Sequence, residues 1–263
     1  MMGEITNKNW KETDLNVDSL WIINQRDKSG KHQNVYHGNF IPQIPNQLIR
    51  RYTKEGETVL ELFSGGGTTL YECENLNRNY IGFDINKDIN SDVIKKMNGC
   101  DRIKYEIYDI DVTNREAFKN AVVESLNSYK EKMVDFMIAH PPYLDIIKFT
   151  NDKRDLSRIS DLKIFLDKFV TAIDNSISFL KKDKYFAIVA GDIYRNSEVI
   201  PLAFRMMDAV KHNFNVKLKG IIIKNIEGNK GKLGSQNIWR YRALQSDYYI
   251  FKHEYIFVFK KIN

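Results

Sequence analysis

The sequence predicts an α/β fold on a doubly wound, mostly parallel sheet. Three observations predict it. Short β-like apolar runs alternate with helix-period stretches from about residue 51 onward. Polar residues gather where those runs end. Special backbone residues concentrate at three places: Pro42 with Pro45, the run Gly65, Gly66 and Gly67, and Pro141 with Pro142.

Taken in order, residues 58–63 (TVLELF) form a strand that ends on Ser-Gly-Gly-Gly, and residues 68–76 a helix. Residues 80–85 (YIGFDI) read as the second strand, 88–97 as a short helix and 103–108 as the third strand. Residues 113–130 read as a helix opening on a Thr113/Glu116 capping box. Residues 134–139 (VDFMIA) form the fourth strand. Leu162, Phe165, Leu166, Phe169, Val170, Ile173, Ile177 and Leu180 recur at helical spacing, so 160–181 is an amphipathic helix. Residues 185–190 are the fifth strand and 199–211 a further helix. The strands 216–223 and 255–259 close the sheet as an antiparallel pair at its edge. With no repeat and no linker, the 263 residues read as one domain, with an N-terminal arm over 1–35 and a polar, basic insert over 224–253.

Composition narrows the partners. Only Cys73 and Cys100 are present, which excludes a disulfide framework and a Cys-rich zinc site, and no metal site is expected. The first residues are polar and no stretch is long and apolar enough for a membrane helix, so a cytoplasmic protein without a membrane partner is expected, as monomer or homodimer. Forty Lys and Arg against 34 Asp and Glu leave a charge of +6, a mild tilt toward polyanions.

In an open α/β sheet, ligands bind beyond the carboxyl ends of the strands. Five polar clusters fall at such ends: the glycine run, Asp84, Asp109, the segment His140-Pro141-Pro142-Tyr143, and Gly191-Asp192. The glycine run lacks the Lys-Ser/Thr of a phosphate-gripping loop, and Leu70 stands where a dinucleotide fingerprint has its third glycine. What remains is a tight turn that lets a ligand approach closely. Asp84, about twenty residues on, is spaced to accept from a ribose diol. The pair suits an adenosine ligand without a pyrophosphate; a plain strand-to-helix turn beside a surface carboxylate is the competing reading.

His140-Pro141-Pro142-Tyr143 weighs more. Two adjacent prolines make a rigid kink with no N–H to donate, so their carbonyls project as acceptors. They are flanked by a histidine that can accept and a tyrosine that can stack. This suits a planar base with an exocyclic amino group, whose lone pair is freed when acceptors pull on both N–H bonds.

These segments resemble the DNA amino-methyltransferases that act on adenine N6 or cytosine N4. The family loop D-P-F-x-G-x-G-T-T is matched by Glu61-Leu62-Phe63-Ser64-Gly65-Gly66-Gly67-Thr68-Thr69, and the catalytic tetrapeptide (D/N/S/T)-P-P-(Y/F/W) by His140-Pro141-Pro142-Tyr143. Residues 37–45 (HGNFIPQIP) resemble the segment that lines the methionine end of the cofactor, and 253–259 the last strand. The resemblance covers roughly residues 35–260. It implies a Rossmann-like class I methyltransferase sheet of seven strands with an antiparallel edge strand. It also implies S-adenosylmethionine as cofactor, bound by Phe40, Pro42, Glu61, Phe63, Ser64, Gly65, Gly66, Gly67, Thr68, Thr69, Asp84, Ile85 and Asp109. Catalysis would rest on His140, Pro141, Pro142 and Tyr143. Double-stranded DNA would be the partner, with a restriction nuclease or specificity subunit as a further one. Lys148, Arg154, Lys224, Lys230, Lys232, Trp239, Arg240 and Arg242 are the candidate DNA contacts, cations for phosphates with an aromatic between them. Two departures stand out. Glu61-Leu62 replaces Asp-Pro, and His140 replaces the usual Asp, Asn, Ser or Thr, which leaves adenine and cytosine equally open. An RNA base amino-methyltransferase, or a cofactor- and DNA-binding subunit weakened at His140, are the alternatives.

Overall fold

The computed structural model describes residues 10–33, 38–226 and 236–263. Its elements in chain order are β1 (Leu20–Trp21), α1 (Gln43–Tyr52), β2 (Thr58–Glu61), α2 (Thr68–Asn75), β3 (Asn79–Phe83), α3 (Lys87–Met97), β4 (Tyr105–Tyr108), α4 (Arg115–Tyr129) and β5 (Val134–Ala139). They continue with α5 (Leu162–Ile177), β6 (Leu180–Ala190), the hairpin β7 (Ile193–Arg195) and β8 (Glu198–Ile200), α6 (Leu202–Asn213), β9 (Val216–Asn225), α7 (Gln236–Gln245) and β10 (His253–Lys261). The main sheet has the order β1-β9-β10-β6-β5-β2-β3-β4. Strands β6, β5, β2, β3 and β4 run parallel, and β10 is antiparallel to both of its neighbours.

The sheet is sandwiched because its central strands β2, β3 and β5 are buried on both faces. Along β5 every residue is buried, and alternate side chains enter different cores. Val134, Met137 and Ala139 join Phe118, Phe165, Phe169 and Met206 from α4, α5 and α6. Phe136 and Ile138 face Ile44, Leu48, Leu70 and Val93 from α1, α2 and α3.

Local chemistry moves several expected boundaries. The sheet has eight strands. The extra strand comes from the expected N-terminal arm, where Leu20 and Trp21 pair with Ile223 and Lys224 and Trp21 is buried. The two last strands do pair antiparallel, but β10 lies inside, between β6 and β9, so it is not itself the edge. Helix α4 is capped by Asn114, whose side chain accepts from the Ala117 N–H at 3.2 Å, while the Thr113 hydroxyl turns back to Asp111. Asp161 caps α5 in the same way, 2.8 Å from the Ile164 N–H. That helix stops at Ile177 because Leu180 is already paired with Val134. Pro201 precedes α6, and the residues before it are drawn into the β7–β8 hairpin. The insert contains α7, so it is partly helical. Among the described residues, no helix is long and apolar enough to cross a membrane.

Candidate functional site

The glycine turn is held open from three sides. Gly67 takes a left-handed conformation, φ 79°, as the residue before α2, and a Cβ there would stand 2.7 Å from Val93. The Gly65 N–H donates to Asp84 Oδ2 at 2.8 Å, and the Gly66 N–H to Asn39 Oδ1 at 3.1 Å. Asp84 also accepts from the Asn86 N–H at 2.8 Å. Each Asp84 oxygen therefore takes one backbone donor and keeps a lone pair for a ligand. Burial raises its pKa, and the Gly65 and Asn86 N–H groups pull the other way.

Behind the turn lies a second, sealed layer. Glu61 is 1% exposed and accepts from Thr69 Oγ1 and from Tyr80 Oη, each at 2.6 Å. The Tyr80 hydroxyl is also 3.0 Å from Ser64 Oγ, which donates to the Phe83 carbonyl at 3.1 Å. Desolvation pushes the Glu61 pKa up to about 8, so the carboxyl holds a proton at neutral pH. Gly82 makes room for this network, since a Cβ there would lie 2.5 Å from Ser64 Oγ.

A cavity opens over the carboxyl ends of β2, β3, β4 and β5. Phe63 and Gly65 reach it from β2, Asp84 and Ile85 from β3, Ile110 from β4, and His140, Pro141, Pro142 and Tyr143 from β5. The turn after the tetrapeptide closes the opposite wall with Ile146, Ile147 and Phe149, and Arg154 reaches the rim. His140 Nε2 lies 3.1 Å from the Tyr143 hydroxyl. Burial lowers the His140 pKa to about 4 and raises that of Tyr143, so both are neutral at physiological pH. Phe40, itself buried, packs on the imidazole with ring centres 5.0 Å apart. Gly191 leaves room for the Tyr143 ring, since a Cβ there would come within 2.9 Å of it.

The structure thus sorts the residues singled out from sequence. Phe63, Gly65, Asp84, Ile85 and the four tetrapeptide residues share the cavity. Glu61, Ser64, Thr68 and Thr69 are all buried and do not line the cavity, and Glu61, Ser64 and Thr69 brace the turn from behind. Gly66 and Gly67 shape the turn, Pro42 opens α1, and Asp109 accepts from the Asn90 side chain. Lys224 is set apart from the other candidate DNA contacts: it is 4% exposed on β9 and pairs with Glu254 at 3.4 Å. Lys148, Arg154, Arg240 and Arg242 are exposed. Arg154 is bound to Asp152, with Nη2 2.6 Å from Oδ2. Lys230 and Lys232 lie outside the described residues, as does the side chain of Trp239.

Two residues were not singled out. Asn39 lines the cavity, and its Nδ2 is buried without a partner. Beside it, Arg26 Nη1 donates to the Phe40 carbonyl at 2.8 Å, while its Nε and Nη2 are also buried and unpartnered. Asn39 sits inside the segment quoted above, so position could have found it. Arg26 carries no sequence signal, since only folding brings it to that segment.

Residues 3–96 match a family model described as DNA methylase. Over that stretch, about a third of the chain, the protein is similar to DNA methylases. The matched region includes the glycine turn and Asp84. Type II methyltransferase M.MjaII of Methanocaldococcus jannaschii is 28% identical over 130 residues, which is 47% of this chain and 22% of that protein. The chain therefore spans about a fifth of that relative's length. A tRNA (guanine-N(7)-)-methyltransferase of Mycoplasma mycoides subsp. mycoides SC is 25% identical over 245 residues, covering 84% of this chain and 98% of that one. Among solved structures, TrmN from Thermus thermophilus superposes with a TM-score of 0.52 at 14% identity, over 86% of this chain and 50% of the other. That likeness shows the shared Rossmann-like fold.

Proposed function

We propose that this chain is an S-adenosylmethionine-dependent DNA methyltransferase that modifies the exocyclic amino group of adenine (N6) or cytosine (N4) at a specific site, within a restriction-modification or phage-defence system. One observation carries the reading: the tetrapeptide of β5 and the ribose-spaced carboxylate of β3 open into one cavity.

The residues present suit the cofactor. Asp84 keeps lone pairs for a ribose diol, and Ile85 and Ile110 offer apolar walls to a flat base. The unpartnered donors of Asn39 and Arg26 suit the carboxylate of an amino acid. When bound, S-adenosylmethionine supplies a methyl group activated on a sulfonium. The protein's own part is positioning and electrostatics. A base inside a duplex cannot reach this cavity, so it must be extruded. Tyr143 would stack on it, and the Pro141 carbonyl and a neutral His140 would accept from its amino group. Lys148, Arg154, Arg240 and Arg242 would meet DNA phosphates.

The test is methyl incorporation into duplex DNA against total tRNA, followed by sequencing host DNA for N6-methyladenine and N4-methylcytosine. Label in DNA with an intact motif supports the reading. Label confined to tRNA supports the RNA alternative, which the near full-length tRNA methyltransferase relative favours. Cofactor binding with no turnover on either supports a weakened subunit.

A further inference from the structure

We infer that Ile146 and Ile147 form an apolar wedge that enters duplex DNA beside the target base and fills the gap that base leaves. The inference rests on the DNA methyltransferase reading and assigns a step of it to two residues. Both side chains line the cavity, yet they are 53% and 47% exposed. They therefore stand at the mouth, where cavity wall meets the incoming nucleic acid. Single exposed apolar residues are ordinary on a protein surface. Two adjacent ones on the lip of a polar-ended cavity, three and four residues after the base-stacking Tyr143, are a presented edge.

The backbone beneath them is fixed. Leu144 is fully buried and adopts φ 53°, a left-handed conformation that a leucine takes at some strain. The Ile146 N–H points back to the Tyr143 carbonyl at 3.4 Å. Between them, Asp145 is ion-paired with Arg195, which also donates to the Ser160 carbonyl at 2.9 Å. The burial of Leu144 and the Asp145 anchor hold the turn so that the two isoleucines face outward. β-Branched side chains are stiff at χ1, so little rotamer freedom is left to lose on insertion.

Charge agrees with this occupant. Lys148, Lys153 and Arg158 are exposed in the same stretch, placed to meet phosphates while the apolar pair meets bases. Extruding a base breaks a pair and unstacks its neighbours, and apolar wedges offset that loss in proteins that unstack DNA.

The test uses the full chain and two duplexes built on the motif found methylated in host DNA. One duplex is fully paired and the other carries an abasic site opposite the target base. In the second, the target has no partner to break from, so a wedge has less to do. Under single-turnover conditions, Ile146→Ser with Ile147→Ser should slow methylation of the paired duplex roughly tenfold. On the abasic duplex the deficit should shrink to about twofold. Ile146→Leu with Ile147→Leu keeps the apolar bulk and should follow the parent on both. Thermal unfolding checks that the serine pair is folded; if it is not, each single serine substitution carries the same ratio. An equal loss on both duplexes, or no loss on either, overturns the wedge and leaves the methyltransferase standing. A parent that methylates no duplex overturns the underlying reading and the wedge with it.

Discussion

His140 Nε2 lies 3.1 Å from the Tyr143 hydroxyl, so the two residues that would handle the base share one hydrogen bond. If the phenol donates, Nε2 accepts and Nδ1 carries the imidazole proton. If Nε2–H donates to the phenol oxygen, Nδ1 is left as an acceptor. Only the second arrangement lets His140 accept from an amino group through Nδ1. The direction of the Tyr143 hydrogen bond and the His140 tautomer are therefore coupled. His140 is an acceptor only while neutral, and its burial keeps it neutral.

The first prediction follows from that burial. The single-turnover rate should stay flat as pH falls past the free-histidine value of about 6.5 and drop only toward the folded pKa of about 4. A limb at the free value would show a solvated imidazole. His140→Asn should keep some activity through its amide oxygen, and His140→Ala should lose most of it. Stability carries the same sign. The folded pKa is depressed, so the contribution of His140 is full above the unfolded pKa and is lost as pH falls through about 4.

Glu61 should titrate in the opposite sense. Its folded pKa is raised from 4.5 to about 8, so the native state holds a proton that the unfolded chain releases. That contribution is present at low pH and lost as pH rises through about 8. Glu61→Gln should therefore gain in melting temperature relative to the parent between pH 6 and 9. Glu61→Ala should lose about 1–3 kcal/mol for each hydroxyl, Thr69 and Tyr80, left without an acceptor. Denaturant unfolding across pH measures both.

Cofactor affinity should divide between two ends of the cavity. Asp84→Ala should weaken S-adenosylmethionine binding by about 1.5–3 kcal/mol, the scale of hydrogen bonds to a charged group. Arg26→Met should weaken S-adenosylmethionine but spare 5′-methylthioadenosine, which lacks the carboxylate. Calorimetry with both ligands separates the two. Equal loss for both ligands in Arg26→Met would remove its guanidinium from the carboxylate end.

Gly191→Ala should harm base handling more than cofactor affinity. A methyl group there meets the Tyr143 ring at 2.9 Å and must push it toward the cavity. A raised KM for DNA beside an unchanged cofactor dissociation constant is the expected pattern.

For DNA affinity, changing Lys148, Arg240 and Arg242 to Ala should flatten the dependence on salt by about one unit of slope per lost phosphate contact. Lys224→Ala should leave the slope alone and lower stability, because it strips a buried Glu254 of its counter-charge. A variant at Lys224 that changes the slope without changing stability would restore it as a DNA contact.

The alternation of apolar runs and helical periods by itself determined the layered sheet, because burial on both faces demands it. The glycine run, the carboxylate after the second strand and the paired prolines were legible in sequence at strand ends, and they meet at one cavity. Glu61, however, reads from sequence as a ligand contact at a strand end. Only packing against Tyr80 and Thr69 turned it inward as a protonated strut. Lys224 reads as part of a basic loop, and only strand pairing buried it against Glu254. Arg26 and Asn39 lie 13 residues apart, and only the fold set them together with donors unsatisfied. The same holds for Ile146 and Ile147, whose exposure depends on the conformation of Leu144 and an ion pair 50 residues away. Periodicity reports which residues must leave water. Which partner each meets is decided by chain segments distant in sequence, and tertiary structure alone records them.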